Sequence, residues 1–224
     1  MRNISVILIL GSAYLALVLM SLVISKLKPG IVHYDKMQPN NLGPLNYLHI
    51  AGILVMFFPS MFLGQQPVFL LSFPEKINIP QAAAFLIVFG AIGFFPWKKF
   101  NENFRENKNA ASLATYKVIS YACFRSAFLI VYEWFFRGLL LISLCDLFGV
   151  GFGISINVLL YALLHMSKSK KEIIGCIPLG ILLCVFTIWW QSIWPAIIFH
   201  IQIGIINEWP ALQQFISPQK QTAL

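Results

Sequence analysis

The chain has 224 residues, 58% hydrophobic and 11% charged, with 16 Lys and Arg against 8 Asp and Glu, and its mean hydropathy is +0.77. Soluble domains carry about 25% charged residues, so this composition excludes a water-soluble globular enzyme and describes an all-α polytopic membrane helix bundle. The basic excess, which would point to nucleic acid in a soluble protein, is expected here in cytoplasmic loops, and no nucleic-acid partner is expected.

At roughly 20 apolar residues per crossing, the apolar runs predict about seven transmembrane helices, near residues 4–25, 46–64, 80–97, 118–146, 150–166, 172–190 and 193–209. The first begins like a signal peptide, but its apolar run is too long and no small-residue cleavage site precedes Lys26, so it is expected to stay as a helix. A polar loop follows from Lys28 to Gly43, with Pro29 and Pro39. The Pro67 to Pro80 connection, with Pro74, Glu75 and Lys76, reads as interfacial. The fourth span is longer than a bilayer needs, so it is tilted or starts outside the hydrocarbon. The residues divide into N-terminal transmembrane helices (1–117), a helix bundle carrying the chemistry (118–209) and a short tail (210–224).

Lysine and arginine placement sets the expected topology. With alternating spans, Lys26, Lys28, Lys36, Lys98, Lys99, Arg105, Lys108, Lys117, Lys168, Lys170, Lys171 and Lys220 share one side, against Arg2 and Lys76 on the other. Positive-inside bias makes that side the cytoplasm, placing the N-terminus outside and the C-terminus inside the cell membrane. Cys123, Cys145, Cys176 and Cys184 form no CxxC pair, so neither a disulfide framework nor a cysteine metal cage is expected.

Ionisable residues inside apolar helices are functional-site candidates, because bare lipid penalises them by a few kcal/mol or more. Glu133 and Arg137 are four apart and share a helix face; an ion pair that only neutralises two buried charges is the simplest reading of them. Gly138 beside them would let another helix approach. His165 ends the fifth span and taken alone reads as interfacial, whereas His200 lies about two turns inside the seventh. A carboxylate and two imidazoles on three helices can activate water as general bases. They also fit a His₂Glu zinc site with an open position, with Glu133, His165 and His200 as ligands. His165 should lie nearer the cytoplasm than His200, so bringing them together requires tilted or broken helices around a cytoplasm-facing cavity, Pro195 being one place for a kink. Arg125, Asp146 and Glu208 lie near enough to span ends to snorkel. Trp189, Trp190 and Trp194 read as an interfacial aromatic belt.

These stretches resemble the CPBP family of CAAX-type intramembrane proteases and bacteriocin-processing or immunity proteins, also called Abi. Its pattern is Glu-Glu-x-x-x-Arg, then Phe-x-x-x-His, then His-x-x-x-Asn or Asp, on separate helices. Glu133, Arg137 and Gly138 match the first motif, Tyr161 to His165 the second with Tyr for Phe, and the Ser192-Ile-Trp-Pro-Ala run leads to His200 of the third. Lys171-Glu172 and Pro178-Leu-Gly180 are similar to the linking segment, and the likeness covers about residues 118 to 209. Two positions depart: Tyr132 stands where the family has its water-activating glutamate, and Gly204 where it has Asn or Asp.

The resemblance implies a peptidase acting on a membrane-associated, lipidated or apolar peptide or membrane-protein substrate. Glu133 and His165 would activate water, His200 would stabilise the oxyanion or bind a metal, Arg137 would hold Glu133 and Tyr132 would hydrogen-bond in the site. The rival readings are a non-catalytic scaffold or bacteriocin-immunity protein, motivated by Tyr132 and Gly204, and a small transporter using Glu133 and the histidines as a proton relay. The absence of internal repeats argues against the transporter. Neither substrate identity, metal use nor oligomeric state follows from the residues.

Overall fold

The computed structural model describes residues 2–27, 42–63, 67–74, 77–103, 115–167 and 170–216. The helices are α1 (Arg2–Leu27), α2 (Leu42–Phe57), α3 (Ile79–Asn103), α4 (Thr115–Glu133), α5 (Leu141–Phe148), α6 (Val150–Leu164), α7 (Lys170–Trp190) and α8 (Trp194–Ile216). Between α4 and α5, Trp134–Leu140 form a π-helical stretch, so α4, this stretch and α5 make one interrupted rod. The described residues thus give seven rods and no strand, an all-helical bundle of the expected class. The polar loop after α1, Glu75 and Lys76, and the end of the tail lie outside the described residues, as do Lys28, Lys36, Arg105, Lys108, Lys168 and Lys220.

Local chemistry sets the breaks. Pro59 lies at the start of a 3₁₀ turn, Phe58–Met61, that ends the regular part of α2, because proline lacks the N–H the helix would need. Gly149 separates α5 from α6 at φ 80°, a conformation that a side chain would strain. Pro195 sits in the first turn of α8, where no intrahelical N–H partner is lost. It therefore kinks nothing; the break that shapes the interior is the π stretch.

Among the described residues, four segments are long and apolar enough to cross a membrane: Ser5–Lys26, Leu42–Met61, Tyr116–Phe148 and Glu172–Trp190. Ile79–Phe94 and Val150–Leu164 are shorter apolar helices. The 15 residues of α6 reach only about 22 Å, short of a hydrocarbon core of about 30 Å. The seven spans expected from sequence are therefore unequal rods. Large apolar side chains such as Leu8 (66% exposed), Ile87 (71%) and Ile174 (68%) face outward, whereas Glu133, Arg137, Asn157 and Thr187 are fully buried. Apolar outside and polar inside is the arrangement lipid imposes on a bundle with a polar centre.

The interrupted rod is the hub. Its α4 part packs on α2 and α8 and its α5 part on α6; α6 packs on α7, α3 on α8, and α1 against α2 and α6. Every residue from Tyr132 to Leu141 is buried. At the α5–α6 corner, a Cβ on Gly153 would stand 2.8 Å from the backbone N and 2.9 Å from the Cα of Cys145. Backbone cannot swing aside as a side-chain tip does, so Gly153→Ala is expected to destabilise the protein by about 1–3 kcal/mol. Unfolding of the variant in mild detergent checks this; an unchanged midpoint would mean that the corner relaxes freely.

Candidate active site

Glu133 is the last residue of α4 and Arg137 lies one turn on, inside the π stretch. Oε1 of Glu133 is 2.5 Å from Nδ1 of His200 on α8. Nη1 of Arg137 lies 3.2 Å from Oε2 and 3.4 Å from Oε1. Each carboxylate oxygen thus has a neighbour of opposite or complementary charge, and both Glu133 and Arg137 are 0% exposed. The guanidinium also lies 4.6 Å from the centre of the Tyr161 ring and 5.8 Å from that of Phe136, so aromatic faces replace part of its lost hydration. Its Nε and Nη2 have no hydrogen-bond partner among the described residues.

Tyr132 stands beside Glu133. Adjacent helical side chains diverge by about 100°, yet both reach His200, whose imidazole lies in the wedge between them. The Tyr132 and His200 rings meet edge to face at 5.4 Å, and Tyr132 stacks on Phe136 at 4.6 Å. The Tyr132 hydroxyl is buried with no hydrogen-bond partner among the described residues. The expectation that it bonds within the site is not met by the protein's own groups.

His165 caps α6, and its Nδ1 is 2.9 Å from the carbonyl oxygen of Tyr161. A carbonyl only accepts, so Nδ1 carries the proton and Nε2 is the basic nitrogen of the neutral ring. Tyr161 touches both histidines, with ring centres 4.7 Å from His165 and 6.4 Å from His200.

Two cavities meet at these side chains. The smaller, about 190 Å³, runs between α1, α2 and α4 past Leu17, His49, Phe128 and Tyr132. The larger, about 600 Å³, lies between α3, α7 and α8 and is walled by Ile92, Cys176, Leu182 and Gly204. Both are lined by Arg125, His165 and His200. The histidines that straight helices would hold apart therefore share one apolar cleft. The N-terminal helices, which the sequence division set aside from the chemistry, form one of its walls.

Among the described residues, no three His, Cys, Asp or Glu side chains converge as metal ligands. Arg137 against the Glu133 carboxylate would also repel a cation, so the residues present do not fit the zinc arrangement of Glu133, His165 and His200.

Two local expectations change, and Trp194 gains partners. Space at Gly138 is filled by its own neighbour, since a Cβ there would lie 2.6 Å from the Trp134 ring; the glycine accommodates Trp134, whose Nε1 donates to Ser60 Oγ at 3.0 Å. Glu208 does not snorkel: it is 3% exposed, 2.8 Å from Arg125 Nε and accepts from the Tyr121 hydroxyl at 2.8 Å. The helix continues to Ile216, so Glu208 is not near its end. Trp194 stacks on Phe73 at 4.4 Å and donates to the Leu71 carbonyl at 2.8 Å, pinning the segment before α3. Sequence reasoning also passed over His49, packed between Tyr121 and Phe128, and the buried Asn157 of α6. A lone polar residue in an apolar run was the available signal for both.

Residues 115–206 match the family model described as type II CAAX prenyl endopeptidase Rce1-like. No curated protein and no solved structure matches the chain. The matched segment contains Tyr132, Glu133, Arg137, Tyr161, His165 and His200 together. The segment that carries these six side chains is thus similar to the Rce1-like model, in agreement with its resemblance to the CPBP family of CAAX-type proteases, while the cavity walls supplied by α1, α2 and α3 lie outside the match.

Proposed function

We propose that the chain is a multi-pass intramembrane peptidase that hydrolyses an apolar or lipidated membrane-associated peptide near the cytoplasmic half of the cell membrane, with its N-terminus outside. The observation that carries this reading is the contact between Glu133 and His200, backed by Arg137, where two apolar cavities meet. A carboxylate accepting the Nδ1–H of an imidazole leaves Nε2 as the proton acceptor and stabilises the imidazolium that forms. His200 Nε2 takes a proton from water, the hydroxide attacks the peptide carbonyl, and the imidazolium returns that proton to the leaving nitrogen. His165 orients the water, and the Tyr132 hydroxyl donates to the developing oxyanion. Arg137 keeps Glu133 ionised and in place. This exchanges the parts that the motifs alone assign to the two histidines, because both carboxylate oxygens of Glu133 are already engaged. No step is routed through a metal.

A non-catalytic relative that binds a peptide or another membrane protein is the second reading. The aromatic packing of Tyr132 at the position of the family glutamate favours it. The two readings separate when protein termini of membranes are compared between cells carrying the native chain and the Glu133→Gln, His165→Ala double variant at matched abundance. New termini confined to the native chain are expected and would name the substrate. Identical termini would end the peptidase reading in favour of the binding protein.

A further inference from the structure

The π stretch that carries Arg137 is held by a side chain outside every motif described above. Asn157 on α6 is 0% exposed. Its Nδ2 donates to the carbonyl oxygen of Phe136 at 2.8 Å, and its Oδ1 accepts from Cys184 Sγ on α7 at 3.3 Å. The Phe136 carbonyl is the one that also receives the backbone N–H of Leu141, five residues on, the bond that makes a π turn. A widened turn disturbs the regular ladder and leaves carbonyls with acceptor capacity that hydrocarbon cannot satisfy. Asn157 meets that need from a neighbouring helix, and the weak thiol donor of Cys184 fixes which way the amide faces.

We propose that Asn157, supported by Cys184, is a positioning residue of the site: it locks the π register and so keeps Glu133 aimed at His200. A π turn is an α-helix with one residue inserted. If it relaxed, the flanking helices would turn relative to one another by about 100°. The α5 side is fixed by the close backbone approach at Gly153, so the turn would fall on α4 and carry Glu133 away from the imidazole. The catalytic consequence rests on the peptidase reading; the register itself does not.

The test is hydrogen–deuterium exchange on the full chain in detergent micelles, for the native protein, Asn157→Leu and Cys184→Ala, alongside cleavage of the substrate found by terminus comparison. Asn157→Leu is expected to speed exchange of peptides covering 134–141 by about 10-fold and Cys184→Ala by about 3-fold, with α3 and α8 unchanged. Cleavage by Asn157→Leu should fall by about 10-fold or more. Asn78→Ala, which removes the side-chain acceptor for the Gln81 N–H at the start of α3, is the control for stability loss away from the site and should keep its cleavage. Unchanged exchange over 134–141, or an equal rise in every helix, overturns the proposal. If Asn157→Leu does not fold, the local exchange of Cys184→Ala decides it. If Glu133→Gln leaves all termini unaltered, the peptidase reading fails while the exchange result still judges the register. If Glu133→Gln abolishes cleavage but Asn157→Leu opens 134–141 without lowering it, the positioning role alone fails.

Discussion

Arg137→Leu is expected to destabilise the protein by about 3–5 kcal/mol, and Glu133→Leu combined with Arg137→Leu to recover most of that loss. Both side chains are fully buried, so the single variant leaves an ionised carboxylate with only the His200 contact in a medium that cannot hydrate it. Removing both charges removes the desolvation penalty together with the attraction, and buried pairs replaced by apolar residues of similar size are often neutral in stability. Unfolding in mild detergent of the single and double variants measures the difference. The double variant should be folded and unable to cleave, which separates the structural use of the pair from the chemical one. A single variant as stable as the double would mean that the carboxylate is protonated or hydrated in place, and the picture of Arg137 holding an ionised Glu133 would fall.

Tyr132→Phe is expected to move stability and activity in opposite directions. The hydroxyl is buried without a hydrogen-bond partner among the described residues, and an unsatisfied buried polar group costs about 1–3 kcal/mol, so its removal should stabilise the fold by up to about that amount. If it donates to the oxyanion, the same change should lower the cleavage rate by about 10²–10³-fold. The ring remains to pack on Phe136 and His200, so the two readouts report the oxygen alone. A stabilised variant that cleaves at the native rate would remove Tyr132 from the mechanism. It would leave the tyrosine as packing in the position where the CPBP pattern has a glutamate.

Glu133 and Arg137 were readable because an i, i+4 pair is a local relation that every helix enforces. His200 was readable because an imidazole deep in an apolar run has few inexpensive explanations. The match over residues 115–206 covers all of these positions. Local pattern misled at Gly138, where the space serves Trp134 on the same rod, and at Glu208, whose partners Arg125 and Tyr121 sit on α4, more than eighty residues away. The depth mismatch between His165 and His200 came from treating helices as straight and of equal length. In the structure both histidines border the same two cavities.

The sequence by itself determined an all-helical membrane bundle, since composition and apolar run length decide whether a chain prefers lipid, and it determined which ionisable side chains are placed at a cost that demands a use. Only the tertiary structure decided that Glu133 meets His200, that both cavities open onto both histidines, and that Asn157 and Cys184 hold a π turn between them. The physical reason is that helix periodicity is written by near neighbours. The rotation of one helix against the next, and the insertion of one extra residue in a turn, are set by packing and by buried hydrogen bonds between segments far apart in the chain.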